Sequence, residues 1–424
     1  MRETDLNDVF AEFEARTAPT FRPPGLATAQ HRVRNRRRHR RALLAGVAAL
    51  LLAGPGGVYA VAGRDGDRTS PTPAPSPTAS PSPGGPPVAR RIAVPGVTGE
   101  VRDLRFVDSR HGWALFDTCD ARAFTDCRRA LARTEDGGVT WRKTALPATA
   151  NRPTPGGPPR LEVVDGRRLT VAVDLRYLVT TDGGASFTEH PVTAPPSTTQ
   201  LAWATRSGFS LRCPGTNART GPAGNGGCPR PDLVRIGQGT VAAQPPVNLG
   251  TDLDGQLIES GDGRLWATVR EGAGMTVVVS DDRAATWRKL PTVPGARRLL
   301  VSPDGAHAWA VDIDQSDYSG SAGKRVWALD GDRWRERIGL PDDTVTVEAV
   351  NAGFLAVTGA YGTAGFWTPA GYVDSGEVRG SLRGGSEESM SVEVLPDDTV
   401  VLHQPGAWII GVGTGPQRVW TRIS

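Results

Sequence analysis

From about residue 90 onward, apolar residues fall in short runs separated by polar stretches rich in Gly, Asp and Pro. Ala130-Leu131-Ala132, Tyr177-Leu178-Val179 and Thr276-Val277-Val278-Val279 each lead into one recurring segment. That segment is Thr134-Glu135-Asp136-Gly137-Gly138-Val139-Thr140-Trp141, then Thr180 to Phe187, then Ser280 to Trp287, where Ala284 replaces the second Gly. The shared pattern is hydroxyl, any residue, Asp, any residue, small, any residue, hydroxyl, aromatic. An Asp carboxylate there accepts backbone N–H bonds of its own turn, and Gly supplies the positive φ that the turn needs. The closing aromatic starts a strand and buries its ring. The pattern therefore predicts a hairpin turn used repeatedly, with four short strands per unit. For the first unit these are Val101–Phe106, Trp113–Phe116, Ala130–Arg133 and Thr140–Ala145.

Trp141 and Phe187 are 46 residues apart, and Trp287 and Trp334 are 47 apart. Trp-Ala pairs at 113, 203, 266 and 309 mark strand-like runs upstream of the turns. Such a period indicates a repeat architecture of about seven units. Val347–Tyr372 and Ser391–Ile423 carry no complete turn, yet they fill the remaining length. Arg90–Val94 is expected to pair with the last unit and close a ring, leaving no long free edge.

The eight-residue turn resembles the Asp-box of the BNR repeat, found in sialidase-like, photosystem II assembly-factor-like and sortilin-like propellers. Val107-Asp108-Ser109-Arg110-His111-Gly112-Trp113-Ala114 is similar to the first two strands of such a blade. The resemblance spans residues 90 to 424 and implies an all-β, about seven-bladed β-propeller. Within it Thr134, Asp136, Gly138, Thr140, Trp141, Thr180, Asp182, Gly184, Ser186, Phe187, Ser280, Asp282, Thr286 and Trp287 hold turns, with no part in catalysis. It does not fix an activity, since propellers host many.

A sialidase of this family needs an activated Tyr nucleophile and usually an Arg-Ile-Pro segment on its first blade. No Arg-Ile-Pro segment occurs, the nearest being Arg91-Ile92-Ala93-Val94-Pro95, and only Tyr177, Tyr318, Tyr361 and Tyr372 follow the apolar segment described below. His111, His190, His307 and His403 are isolated, and there is no G-x-S-x-G elbow or P-loop. Asp252-Leu253-Asp254-Gly255 begins like a calcium loop but lacks the later acidic ligand, so it reads as a turn. No catalytic residue, cofactor or metal is assigned. Core packing accounts for Trp113, Trp141, Trp266, Trp287, Trp309 and Trp334, whereas Trp367 and Trp408 lack that register and are the candidates for a surface platform.

Charge separates the N-terminal part from the rest. The 424-residue chain carries a formal +4, but residues 1–41 hold ten Arg against five acids, leaving the remainder at −1. The propeller thus has no charge bias towards nucleic acid. In that basic tail Leu6, Val9, Phe10 and Phe13 make one helical stripe, which reads as a marginal helix in a disordered tail or, alternatively, as a docking helix for a cytoplasmic partner. The run Arg32 to Arg41 precedes an uncharged stretch, residues 42–63, long enough to span a bilayer with the N-terminus cytoplasmic. An uncleaved signal anchor is expected; cleavage after Ala60-Val61-Ala62 is the alternative. Residues 64–88 form a Pro/Ser/Thr-rich linker, and 89–424 the propeller outside the cytoplasm. Cys119, Cys127, Cys213 and Cys228 fit that oxidising compartment. Nearest-neighbour pairing, one of three connectivities, gives Cys119–Cys127 and Cys213–Cys228, while spacings of 8 and 15 do not suit zinc. The expected protein is a membrane-anchored bacterial propeller that binds or scaffolds a protein or cell-envelope glycan on one face. A divergent sialidase-like hydrolase and a transmembrane signalling element are the alternatives.

Overall fold

The computed structural model describes residues 87–423, apart from 119–126, 152–158, 174, 203, 214–229, 242, 250–255, 314–323, 360–362, 376–377, 379–389 and 405–406. Seven antiparallel sheets follow one another along the chain and form a seven-bladed β-propeller. Blade 1 runs Glu100–Phe106, Gly112–Thr118, Arg128–Thr134 and Arg142–Thr144. Blade 2 runs Arg160–Val163, Leu169–Val173, Arg176–Thr180 and Thr188–Pro191. Among the described residues blade 3 has three strands, Phe209–Arg212, Asp232–Arg235 and Gly239–Thr240. Blade 4 comprises Leu257–Glu259, Leu265–Glu271, Gly274–Ser280 and Arg288–Lys289, with Val293–Pro294 also paired to its third strand. Blade 5 comprises Arg298–Val301, Ala308–Val311, Val326–Asp330 and Arg333–Arg337. Blade 6 comprises Thr344–Val350, Phe354–Gly359, Ala364–Thr368 and Gly371–Asp374. Blade 7 comprises Ser391–Val394, Val400–Gln404, Ala407–Thr414 and Gln417–Ile423. The two units without a complete turn are thus full blades.

The middle strands explain the continuous apolar runs. Gly274–Ser280 is buried at every position because neighbouring blades cover both faces of the sheet. The core is correspondingly a set of layers between blades. Leu104, Phe106 and Trp141 of blade 1 pack on Trp408, Ile410 and Ile423 of blade 7. Trp309 of blade 5 meets Trp367 of blade 6 edge-on, with centroids 5.5 Å apart. Trp367 and Trp408 are only 1% and 4% exposed, so the expectation of a surface platform is overturned. Their strands fill the interior of blades 6 and 7 just as Trp266 does in blade 4.

Ring closure differs in detail from the expectation. Val88–Arg90, not Arg90–Val94, pairs with the last strand, in parallel, with Val88 opposite Thr421 and Arg90 opposite Ile423. Blade 3 departs further: Ala204 lies in no strand, and where a first strand is expected the chain forms the short helix Ser197–Leu201. Pro195-Pro196 just before it supplies no ladder donors, which disfavours a strand start there. Thr199 instead hydrogen-bonds Thr170 of blade 2 at 3.2 Å.

The three eight-residue turns share one set of Asp-centred hydrogen bonds. The Asp136 carboxylate accepts from the Thr140 amide (2.9 Å) and hydroxyl (2.6 Å) and from the Thr134 hydroxyl (2.8 Å), which itself accepts from Gly138 N–H (2.9 Å). Asp182 does the same with Ser186 and Thr180, and Asp282 with Thr286 and Ser280. Gly137 and Gly138 sit at φ +70° and +83°, and in the third copy Arg283 and Ala284 are forced to +55° and +67°. At Asp282 the Thr286 hydroxyl and amide lower the carboxyl to about 2. At Asp136 burial pushes upward, but the Thr140 and Thr134 bonds outweigh it and the group again falls to about 2.

A second turn family joins the first and second strands. Asp108, Asp165, Asp262, Asp304 and Asp397 each accept a backbone N–H two residues ahead. The two families share one end of the ring, since Gly137 and Gly183 donate to Arg110 and Arg167 carbonyls at 2.9 and 2.8 Å. Neighbouring blades are linked there as well: Ser109 N–H donates to Asp397 (2.6 Å), Asn351 N–H to Asp398 (2.7 Å), and Asp304 N–H to Asn351 (2.9 Å). In blade 7, which has no complete eight-residue turn, the fully buried Arg418 substitutes. Its guanidinium binds Asp398 Oδ2 (2.7 Å) and the Gly411 and Gly415 carbonyls (3.2 and 3.0 Å), and lies over the Phe366 ring.

Removing Arg418 leaves Asp398 buried without its cation, so Arg418→Ala should lower unfolding stability by about 3–5 kcal/mol in a urea titration. Asp136→Ala should cost about 1 kcal/mol at neutral pH. Because the folded carboxyl is held below its unfolded value, that difference is present above about pH 4 and should vanish as the pH falls towards 2.

Candidate functional site

The first strands of the blades line a central channel. One cavity of about 400 Å³ opens there, walled by Ala204–Arg206 of blade 3, Gln256–Ser260 of blade 4, Arg298–Pro303 of blade 5, Glu348–Ala349 of blade 6 and Val394–Pro396 of blade 7. The missing first strand of blade 3 is what brings the irregular segment Ala204–Arg206 to its edge. Among the described residues no aromatic ring lines it.

Most of its polar atoms are engaged by the protein. Glu259 accepts the Ser207 amide at 2.7 Å and its hydroxyl at 2.5 Å, tying blade 3 to blade 4. Gln256 Oε1 accepts Leu299 N–H of blade 5 at 3.1 Å. Arg298 pairs with Glu348 across blades 5 and 6 and donates to the Val347 carbonyl at 3.1 Å. Farther round, Arg105 of blade 1 lies 3.8 Å from Glu393 of blade 7 and 3.2 Å from Asp103, whose other oxygen accepts Leu161 N–H of blade 2 at 2.8 Å. Arg206 is different. It is exposed, donates to the Ser260 carbonyl at 2.8 Å, and forms no salt bridge among the described residues.

Burial raises the Glu348 carboxyl above the ordinary carboxylate range, with Arg298 pulling the other way. Burial likewise raises Glu393, against Arg105, and the charges of Glu348 and Asp103 add to the rise. Channel water still reaches Glu393, whose side chain is 57% accessible, which moderates the effect. Burial, then the Arg105 charge, lowers His403.

The three eight-residue turns lie at one end of the ring, away from the channel wall, and do not come together as a site. Tyr372 lies on the outer strand of blade 6, and burial beside Asp374 and Asp343 pushes its phenol up to about 12, the opposite of an activated nucleophile. Tyr177 lies on the third strand of blade 2, and Tyr318 and Tyr361 fall outside the described residues. His111 is held by Asp108 at 2.9 Å, and no cluster of three metal-ligating side chains occurs among the described residues. Cys127 and Cys213 are buried and neither is a free thiol. Their expected partners Cys119 and Cys228, like Asp252–Gly255 and the apolar stretch 42–63, lie outside the described residues. Among those described, no helix is long and apolar enough to cross a membrane.

No protein-family model matches this sequence, and no curated protein matches it. Solved structures do. YCF48 bound to a D1 peptide is similar at 16% identity over 81% of this chain and 88% of that one, with a TM-score of 0.29. The GH74 enzyme of Niastella koreensis is similar at 13% identity over 77% of this chain and 47% of that one, TM-score 0.33. TolB from Acinetobacter baumannii is similar at 10% identity over 74% of this chain and 64% of that one, TM-score 0.30. At these identities the likeness is one of fold alone, and these folds include binding proteins and hydrolases.

The channel charges escape a reading of the sequence by repeats. Arg105, Glu348 and Glu393 sit in strands whose neighbours are apolar, and a charge recurring within first strands is the one signal that marks them. Replacing Arg298 by Met removes the cation beside Glu348, so the Glu348 carboxyl should titrate at still higher pH than in the parent, as read by carboxyl carbon NMR.

Proposed function

We propose that this chain is a membrane-anchored, extracytoplasmic binding or scaffold propeller of the BNR/Asp-box kind, and that its channel cavity receives a protein partner. The observation that carries this reading is the cavity itself. Five blades contribute to it, its carboxylates are occupied by neighbouring blades, and one exposed guanidinium, Arg206, retains donors for a ligand. A glycan is the weaker candidate because sugar recognition relies on exposed aromatic faces. Among the described residues none lines the cavity, and Trp367 and Trp408 are buried.

In this proposal residues 1–41 are a cytoplasmic tail, 42–63 a signal anchor and 64–87 a stalk that ends where the closing strand Val88–Arg90 begins, with bridges Cys119–Cys127 and Cys213–Cys228 closing two loops. The anchoring rests on the arginine run beside the uncharged stretch. The bridges rest on the pairing of nearest cysteines, and mass spectrometry of unreduced peptides would find other connectivities if that pairing is wrong.

The test places a photo-crosslinking residue at position 206 of the full-length chain in its own membrane. Crosslinks should go to protein, and Arg206→Glu should weaken capture of that partner about tenfold without shifting the melting temperature. Retention on a glycan array instead would make the ligand a glycan. Turnover of a fluorogenic sialoside would sink the non-catalytic reading.

A further inference from the structure

The channel wall from blade 5 round to blade 1 holds more ionisable groups than hold the blades together. Glu348 and Glu393 stand on adjacent first strands, each facing an arginine from the next blade along: Arg298 on blade 5 and Arg105 on blade 1. Asp103 of blade 1 shares Arg105, and His403, opposite Ser391 on the second strand of blade 7, stacks on Trp408 with centroids 5.2 Å apart. Arg298 and Glu348 are only 23% and 25% accessible, so their charges are poorly screened, whereas Arg105 and Glu393 are half open to channel water. Arg206, Glu259, Arg298 and Glu348 line the cavity, and farther round the ring Arg105 meets Asp103 and Glu393. Among these described residues the acids exceed the arginines by one.

We propose that Glu348 and Glu393 form a proton-operated switch in the channel, whose protonation frees Arg298 and Arg105 and turns the cavity wall into a binding site for small anions. Taking up two protons reverses the local excess from one negative charge to one positive. Both carboxyls are placed to respond before ordinary surface acids do. Burial raises each of them, and at Glu393 the charges of Glu348 and Asp103 add to the rise. Such a group takes up its proton on acidification while the turn aspartates Asp136 and Asp282, held at about 2, remain ionised and keep the blades closed. Burial and then Arg105 lower His403, with Asp103 pulling the other way, so it gains its proton further into acid than a free histidine. Once neutral, Glu348 no longer holds Arg298 by charge, and the guanidinium keeps its bond to the Val347 carbonyl with further donors turned to the cavity. The class of ligand is a compact oxyanion or carboxylate, bound by Arg298 with Arg206 at the edge.

This inference deepens the binding-site reading and rests on it for location. Sulfate is the probe, because its charge does not change over the range used, and its binding to the full-length chain in detergent is measured by calorimetry at about pH 5 and about pH 7.5. The parent should bind sulfate at least about fivefold more tightly at the lower pH. The double variant Glu348→Gln, Glu393→Gln should bind with the acid-form affinity at both, and adding Arg298→Gln should abolish it. An affinity that does not change with pH in the parent overturns the proposal, as does a pH dependence that persists undiminished in the double variant. If the double variant does not fold, the water-accessible Glu393→Gln alone should halve the pH effect or more, and an unaltered effect would again overturn it. Normal partner capture through Arg206 together with pH-independent sulfate binding removes only this inference. A sulfate switch with no effect of Arg206→Glu on capture removes only the partner reading.

Discussion

A sheet whose two faces are both apolar has to be covered twice, and the whole architecture depends on that requirement. Val277 and Val278 point to opposite sides of the third strand of blade 4 and both are fully buried, one against blade 5 and the other against blade 3. No blade satisfies this alone, and a linear stack leaves one bare face at each end. Joining the ends removes both bare faces, so the contact of blade 1 with blade 7 is a condition for every other interface. Two devices hold that contact. Val88–Arg90 adds a parallel strand to blade 7 just ahead of the strands of blade 1, and Leu104, Phe106 and Trp141 interleave with Trp408, Ile410 and Ile423.

Rigidity at the turn end follows from the same geometry. Blades 1, 2 and 4 each present two tight turns there, one capped by an Asp two residues before the amide it binds and one by the Asp of the eight-residue repeat. Where blade 7 lacks the second, Arg418 reaches from the last strand to Asp398 and the Gly411 and Gly415 carbonyls and closes the same space with a buried ion pair. A carboxylate accepting backbone amides and a guanidinium donating to backbone carbonyls are opposite solutions to one problem, the satisfaction of polar groups at a packed turn. The channel is built differently. Its wall is held by side chains of neighbouring blades acting on one another, so its charges are held in place by tertiary structure and remain open to titration.

Blade 3 connects these two regions. Its short helix and the segment Ala204–Arg206 replace a regular first strand and place at the cavity a guanidinium that forms no salt bridge among the described residues. A repeat protein obtains a specific site by such a departure from its repeat, because identical units can present only identical surfaces.

The repeat, the strand character, the unit length and the number of blades were all determined by the sequence, because each rests on local chemistry. An Asp between two hydroxyl residues, a small residue at positive φ and an aromatic at the strand start act within eight residues. Tertiary structure alone decided the rest. Trp367 and Trp408 are buried because blades on either side cover them, which no spacing within their own units reveals. The closing strand is Val88–Arg90 because it is the segment that reaches the edge of blade 7 in register with Thr421 to Ile423. Arg298 meets Glu348 fifty residues on, and Arg105 meets Glu393 across the closure, since only a closed ring sets first strands side by side. Local turns are written in the sequence as adjacent residues, whereas a channel wall is assembled from one residue in every blade.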